Sequence, residues 1–102
     1  MYKYLLEPKA QIEFEESVEY YLQRSEQATL NFINAIEQTI TQIRSSPYLN
    51  KNKYKNYFEA IVTKFPFTII YTIEEEINLI VVVSIFHQRR NPRNKYKTKK
   101  KK

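Results

Sequence analysis

The chain has one histidine, His87, and it stands directly ahead of a cationic stretch: Gln88, Arg89 and Arg90, then Arg93, Lys95, Tyr96 and Lys97. An imidazole titrates near neutral pH and can take or give a proton. Guanidinium groups beside it can grip a phosphate or a carboxylate with two hydrogen bonds. His87 and Arg90 are therefore the candidate catalytic residues. Arg89, Arg93 and Lys95 are candidates for holding a target or a nucleic acid. Tyr96, set among lysines, suits stacking or phosphate contact. Lys55 and Lys64, together with Lys51 and Lys53, form a second basic strip. Each assignment has a plainer rival: a histidine that only hydrogen-bonds within the fold or contacts a partner, and cations that form a solvated rim. The sequence holds no Cys and no Gly. It thus lacks a glycine-rich phosphate loop, a nucleophile elbow and any Cys/His metal spacing, so neither a metal nor a cofactor is expected.

The charge is lopsided. Of 102 residues, 17 are basic and 11 acidic, for a net charge of +6. Every acidic residue lies at or before Glu76, and residues 88–102 hold nine basic groups and no acidic one. Such an end is drawn to phosphate backbones or to an acidic protein. For Lys99 to Lys102 a solubilising tail is an equal reading. The length suits one domain, residues 1–97, followed by a basic tail at 98–102. No apolar run reaches the roughly 18–20 residues of a membrane span, and no signal-peptide pattern opens the chain. A cytoplasmic protein with no membrane contact is expected.

The elements that position these residues follow from periodicity. Residues 77–86 are almost wholly apolar, which predicts a strand covered on both faces. His87 would then sit at its end. A second strand at 67–73 precedes it across the acidic turn Glu74-Glu75-Glu76, giving an antiparallel hairpin. A third strand at 57–64 comes before the interruption Phe65-Pro66-Phe67. A short strand is expected at 2–7, with Pro8 suited to the first turn of a helix. Residues 9–24 read as an amphipathic helix with the stripe Ala10, Phe14, Val18, Tyr21 and Leu22. Its acidic residues Glu13, Glu15, Glu16 and Glu19 read as a wet face. Ser25 caps a second helix at 26–45, with the stripe Thr29, Phe32, Ile33, Ile36, Ile40 and Ile43. Nothing catalytic is expected from either helix. Residues 48–56 read as a polar connection, and Asn50, Asn52, Asn56, Asn78, Asn91 and Asn94 as the turn formers of a glycine-free chain. The sum is an α+β fold: a short N-terminal strand, a helical hairpin, then an antiparallel meander, with the helices on one face of the sheet.

This order of parts resembles the RelE/ParE superfamily of toxins from bacterial type II toxin–antitoxin modules. The likeness rests on Ala10 and the acidic helix with Glu19-Tyr20-Tyr21 near its end, and on a second helix ending near Ser46-Pro47. It rests further on Lys64-Phe65-Pro66-Phe67 followed by Ile70-Tyr71, and on Phe86-His87 with Arg90-Asn91-Pro92. The resemblance implies the same small α+β fold and a cognate antitoxin that wraps the toxin. It also implies growth inhibition by one of two routes. A ParE-like toxin binds and poisons DNA gyrase, and the pair of motifs sits closer to this profile. A RelE-like toxin is a metal-free endoribonuclease that cuts mRNA on the ribosome. A third reading is a degenerate, non-toxic chain that only pairs with its antitoxin. Through the antitoxin, any of the three would reach operator DNA indirectly. Members of the superfamily often carry Arg early in the strand ahead of the Phe-Pro motif, where this chain has Tyr57-Phe58-Glu59, with Phe58 in that place. An acidic, partly disordered antitoxin segment is expected to land near 88–97 and to bind more weakly as salt rises.

Overall fold

The computed structural model describes residues 1–90, 93, 95 and 96. Strand β1 (Lys3–Leu6) leads into helix α1 (Pro8–Leu22) and helix α2 (Glu26–Ser45). Pro8 opens α1, where its missing N–H has no partner to lose. Ser25 caps α2, its hydroxyl accepting from the Ala28 N–H at 3.1 Å. Residues 23–25 alone join the helices, so the two pack as a hairpin.

Four further strands follow: β2 (Lys51–Tyr54), β3 (Tyr57–Ile61), β4 (Phe67–Glu74) and β5 (Leu79–His87). The sheet order is β1-β5-β4-β3-β2. Strands β2 to β5 form an antiparallel meander, and β1 returns to pair with β5 in parallel. The helices cover one face. There Phe32 of α2 is fully buried within a ring cluster of Phe14, Tyr21, Phe65 and Phe67. Cutting Phe32 to Ala would cost about 3–5 kcal/mol. On the other face Ile70, Val83 and Phe86 form a smaller cluster with Tyr57, Val81 and Tyr96. Strand β5 is thus covered on both sides, as its unbroken apolar run predicts.

Three expectations are corrected. Residues 51–54 are an edge strand, not a connection. All four of its residues are exposed, so no burial alternation marks it in the sequence. Leu22 does not join the α1 stripe; it is 51% exposed, at the end of the helix. The left-handed turn positions are Asn78 (φ 51), as expected for an Asn, but also Lys55 (φ 50) and Lys64 (φ 72). With no glycine to use, two lysines take backbone shapes that cost a residue with a Cβ about 1 kcal/mol each. Asn52 supports the first of these turns from the side, donating to the Lys55 carbonyl at 2.9 Å. Asn91, Asn94 and the tail at 98–102 lie outside the described residues.

Candidate functional site

Strand β5 carries one more residue than β4 across its middle: Ile70 faces Ser84, and Tyr71 faces Val82. The bulge changes the local direction of the strand. Beyond Val82, β5 has also lost its other neighbour, because β1 ends at Leu6. Helix α1 fills that gap. The Glu13 carboxylate accepts from the Ser84 hydroxyl at 2.8 Å and from the Ile85 N–H at 2.9 Å, both on Oε1. Its other oxygen, Oε2, takes the Arg90 guanidinium at 3.0 Å. Glu16, one turn on, lies 3.7 Å from the same guanidinium. Glu13 is 5% exposed. The expectation of a wet acidic face therefore fails at this residue. The signal for it was present: Glu13 stands three residues after Ala10 and directly before Phe14, inside the apolar stripe.

His87 closes β5 opposite Phe67, with the two rings in edge contact at 4.9 Å. The chain then turns. Gln88 N–H donates to the Pro66 carbonyl at 2.8 Å, and Arg90 N–H to the His87 carbonyl at 2.9 Å. This turn swings Arg90 back over α1. The Arg89 N–H donates to His87 Nδ1 at 3.0 Å. That bond leaves the imidazole proton on Nε2. Burial, and then the charges of Arg89 and Arg90, push the His87 pKa below its usual value. At pH 7 the ring is neutral and offers a donor. A pocket of about 310 Å³ opens beside it, walled by Tyr21, Phe67 and Ile85, with Glu13, Glu16, Arg89 and Arg90 among its polar lining. Tyr20 and Ser17 of α1 complete the opposite wall. The helix was expected to contribute nothing here, and it contributes half of the pocket.

The remaining candidates separate into other places. Lys95 and Tyr96 lie on the opposite face of the sheet. Lys95 pairs with Glu59 at 3.1 Å, and the Tyr96 hydroxyl donates to the same carboxylate. The Tyr96 ring packs against Tyr54 and Tyr57 at 4.8 and 5.0 Å. Burial, and then the Glu59 carboxylate, raise the Tyr96 pKa. Lys55 joins this group, its ammonium 5.3 Å from the Tyr54 ring. Lys64 stands apart, beside α2 at the loop between β3 and β4. Arg93 is exposed. Phe58 belongs to neither group; its ring packs on Tyr71 and Tyr48, on the helix side of the sheet. Among the described residues no three of His, Cys, Asp or Glu converge to hold a metal. Among them, too, no helix is long and apolar enough to cross a membrane.

Residues 4–92 match the family described as the ParE toxin of type II toxin-antitoxin system, parDE. The chain belongs to this ParE toxin family. Membership implies a cognate antitoxin as partner. Among solved structures, the toxin is similar to the isolated E. coli RelE toxin in its P21 crystal form. The two share 12% identity over 93% of each chain, with a TM-score of 0.63. At that identity the likeness is one of fold, and it agrees with the strand, helical hairpin and meander seen here. No curated protein matches the toxin by sequence.

Proposed function

We propose that this toxin inhibits growth by binding a protein target, DNA gyrase, rather than by cutting RNA, and that its cognate antitoxin neutralises it. The observation that carries this reading is the commitment of two of its candidate cations, Arg90 and Lys95, to carboxylates of the fold. Arg90 is held by Glu13 and Glu16, and Lys95 by Glu59. A ribonuclease needs free cations aimed at the phosphate where charge develops. It also needs a base with an open lone pair, and the His87 Nδ1 lone pair is taken by the Arg89 N–H. Glu13 and Glu16 offset the charge of Arg89 and Arg90 in the His87 pocket, so the pocket offers a phosphate little net attraction. The same pocket, with aromatic and apolar walls and a polar rim, suits a side chain of a protein partner.

The test is a pair of assays on one preparation of purified toxin. Supercoiling by gyrase is expected to fall at micromolar toxin, and ribosome-bound mRNA to stay whole. Cleaved message together with unaffected gyrase would overturn the proposal. Induced expression of wild type beside His87→Ala adds a second reading. Growth arrest by both is expected if His87 is only a contact, and arrest by wild type alone would return attention to acid–base chemistry.

A further inference from the structure

The walls of the His87 pocket are held by contacts within the fold. Arg24 lies over the Tyr20 ring at 3.7 Å, and its guanidinium donates to the Tyr20 carbonyl at 3.1 Å. Tyr20 meets Tyr21 edge to face at 5.2 Å, and Phe67 meets His87 the same way at 4.9 Å. The hollow these residues line holds about 310 Å³. A cavity of about 150 Å³ already takes a benzene ring. This one therefore has room for one aromatic ring that carries a substituent.

The polar groups of the pocket decide what that substituent is. His87 Nδ1 accepts from the Arg89 N–H, so the remaining nitrogen, Nε2, carries the proton and can only donate. Among the described residues nothing accepts from it. Glu16 has the opposite sense, since a carboxylate can only accept. Its Oε1 lies 3.7 Å from the Arg90 guanidinium, longer than a hydrogen bond, and its side chain is 65% exposed. Both groups line the same hollow. An occupant that answers both must bring an acceptor to His87 and a donor to Glu16.

Charge narrows the choice further. Arg89 and Arg90 are balanced by Glu13 and Glu16, and the imidazole is neutral at pH 7. A carboxylate, a phosphate or a lysine would lose its hydration on entry without gaining a net countercharge. Phenylalanine leaves both polar groups unanswered, and an indole N–H can only donate. Asparagine and glutamine bring both senses but no ring to meet the walls. A phenol carries donor and acceptor on one atom, at the tip of a ring.

We propose that this pocket receives a tyrosine side chain of the target protein, its ring against Tyr21, Phe67 and Ile85 and its hydroxyl between His87 Nε2 and the Glu16 carboxylate. The inference rests on the reading that the toxin acts by binding a protein target, and it names the side chain that this pocket takes.

The experiment titrates wild-type toxin with p-cresol, toluene, p-toluate and p-tolyl phosphate, and follows the His87 ring nitrogens by NMR. p-Cresol is the tyrosine side chain alone, and the other three keep its ring and change its tip. p-Cresol is expected to saturate at about millimolar concentration, to shift the Nε2 resonance, and to bind about fivefold more tightly than each of the others. Ser17→Trp sets an indole in the hollow from α1. It should abolish p-cresol binding and weaken gyrase inhibition about tenfold or more. Absence of p-cresol binding, or binding no tighter than that of the other three, would overturn the inference. Gyrase inhibition by the same preparation would then leave the underlying reading standing. Tighter binding of p-toluate would show that Arg89, not the pair of hydroxyl partners, selects the occupant. Unchanged gyrase inhibition by Ser17→Trp would overturn the inference as well, because the target would then bind elsewhere. p-Cresol binding by a toxin that leaves gyrase untouched would overturn the reading, and with it a gyrase tyrosine as the occupant.

Discussion

Two carboxylates, Glu13 and Glu59, sit on opposite faces of the same sheet, and each holds a cation from the C-terminal part of the chain. Their side chains are almost equally hidden, 5% and 6% exposed. Their partners differ in kind. Glu13 is bonded by the Ser84 hydroxyl and the Ile85 N–H of β5 before Arg90 adds its charge. Glu59 depends on Lys95 and Tyr96, two adjacent residues beyond the last strand. Glu13 is thus part of the folded core, a substitute for the strand that β5 lacks after Leu6. Glu59 is a mooring for a short segment, and both of its bonds leave together if that segment lifts. A charge placed where it completes a backbone ladder is structural even when a cation sits beside it. A charge whose partners all come from one small segment controls where that segment lies.

Breaking the first site should have the larger effect. Glu13→Ala strands the Ile85 N–H and the Ser84 hydroxyl in the interior and leaves Arg90 only the exposed Glu16, 3.7 Å away. The expected loss is about 3 kcal/mol, at the lower end for a broken buried pair because Arg90 is half exposed. A chemical denaturation midpoint reads it directly. Glu13→Gln keeps an oxygen for β5 and loses only the charge, so about 1 kcal/mol is expected. Equal losses for the two variants would show that the ion pair, not the ladder, holds this site together.

Phe58→Arg sharpens the contrast between the faces. Phe58 and Glu59 are neighbours in sequence but point to opposite sides of β3, Phe58 toward Tyr48 and Tyr71. An arginine at 58 would therefore sit among rings, away from Glu59 and from the His87 pocket. A loss of about 2–3 kcal/mol is expected from burying part of a charge and losing ring contacts. Gain of RNA cleavage at unchanged stability would show that the side chain reaches the active surface after all.

The sequence made the architecture legible because its long elements are strongly periodic. The α2 stripe from Thr29 to Ile43 is buried at the spacing of one helical face, and the β5 run is buried nearly throughout. It hid what depends on tertiary partners. Strand β2 exists because β3 offers it a ladder, and four exposed residues leave no pattern of their own. The place of Glu13 in the α1 stripe marks it as facing inward, but nothing local says that β5 has an open N–H there for it to accept from. Of the cationic candidates, His87, Arg89 and Arg90 are adjacent in sequence and share one pocket. The placement of Lys95 and Tyr96 on the other face required knowing where the chain goes after its last strand.

At the second site, Glu59→Gln should cost about 1 kcal/mol, the scale of one partly exposed pair. Its signature is local. The Tyr96 ring should lose its fixed contact with Tyr54 and Tyr57 while the main unfolding transition barely moves, which tyrosine NMR line shapes would show. A cooperative loss as large as that of Glu13→Ala would make the two carboxylates equivalent and end the distinction drawn between them.

The smallest effect is a pH dependence at the boundary of the first site. The His87 pKa is lowered in the folded state, by burial first and then by Arg89 and Arg90. Below the ordinary histidine value near 6.5 the unfolded chain therefore binds the proton more readily than the folded one. The stability that goes with the neutral ring is complete above that value and is lost as pH falls through the lower, folded one. His87→Asn places an amide oxygen near Nδ1 and so can still accept from the Arg89 N–H, but it does not titrate. Between pH 7 and 5 the wild type should lose slightly more stability than His87→Asn, and above pH 7 the two curves should run parallel. Parallel curves over the whole range would mean that the ring is hydrated and free of the two arginines. The pocket would then be more open than the edge contact with Phe67 implies.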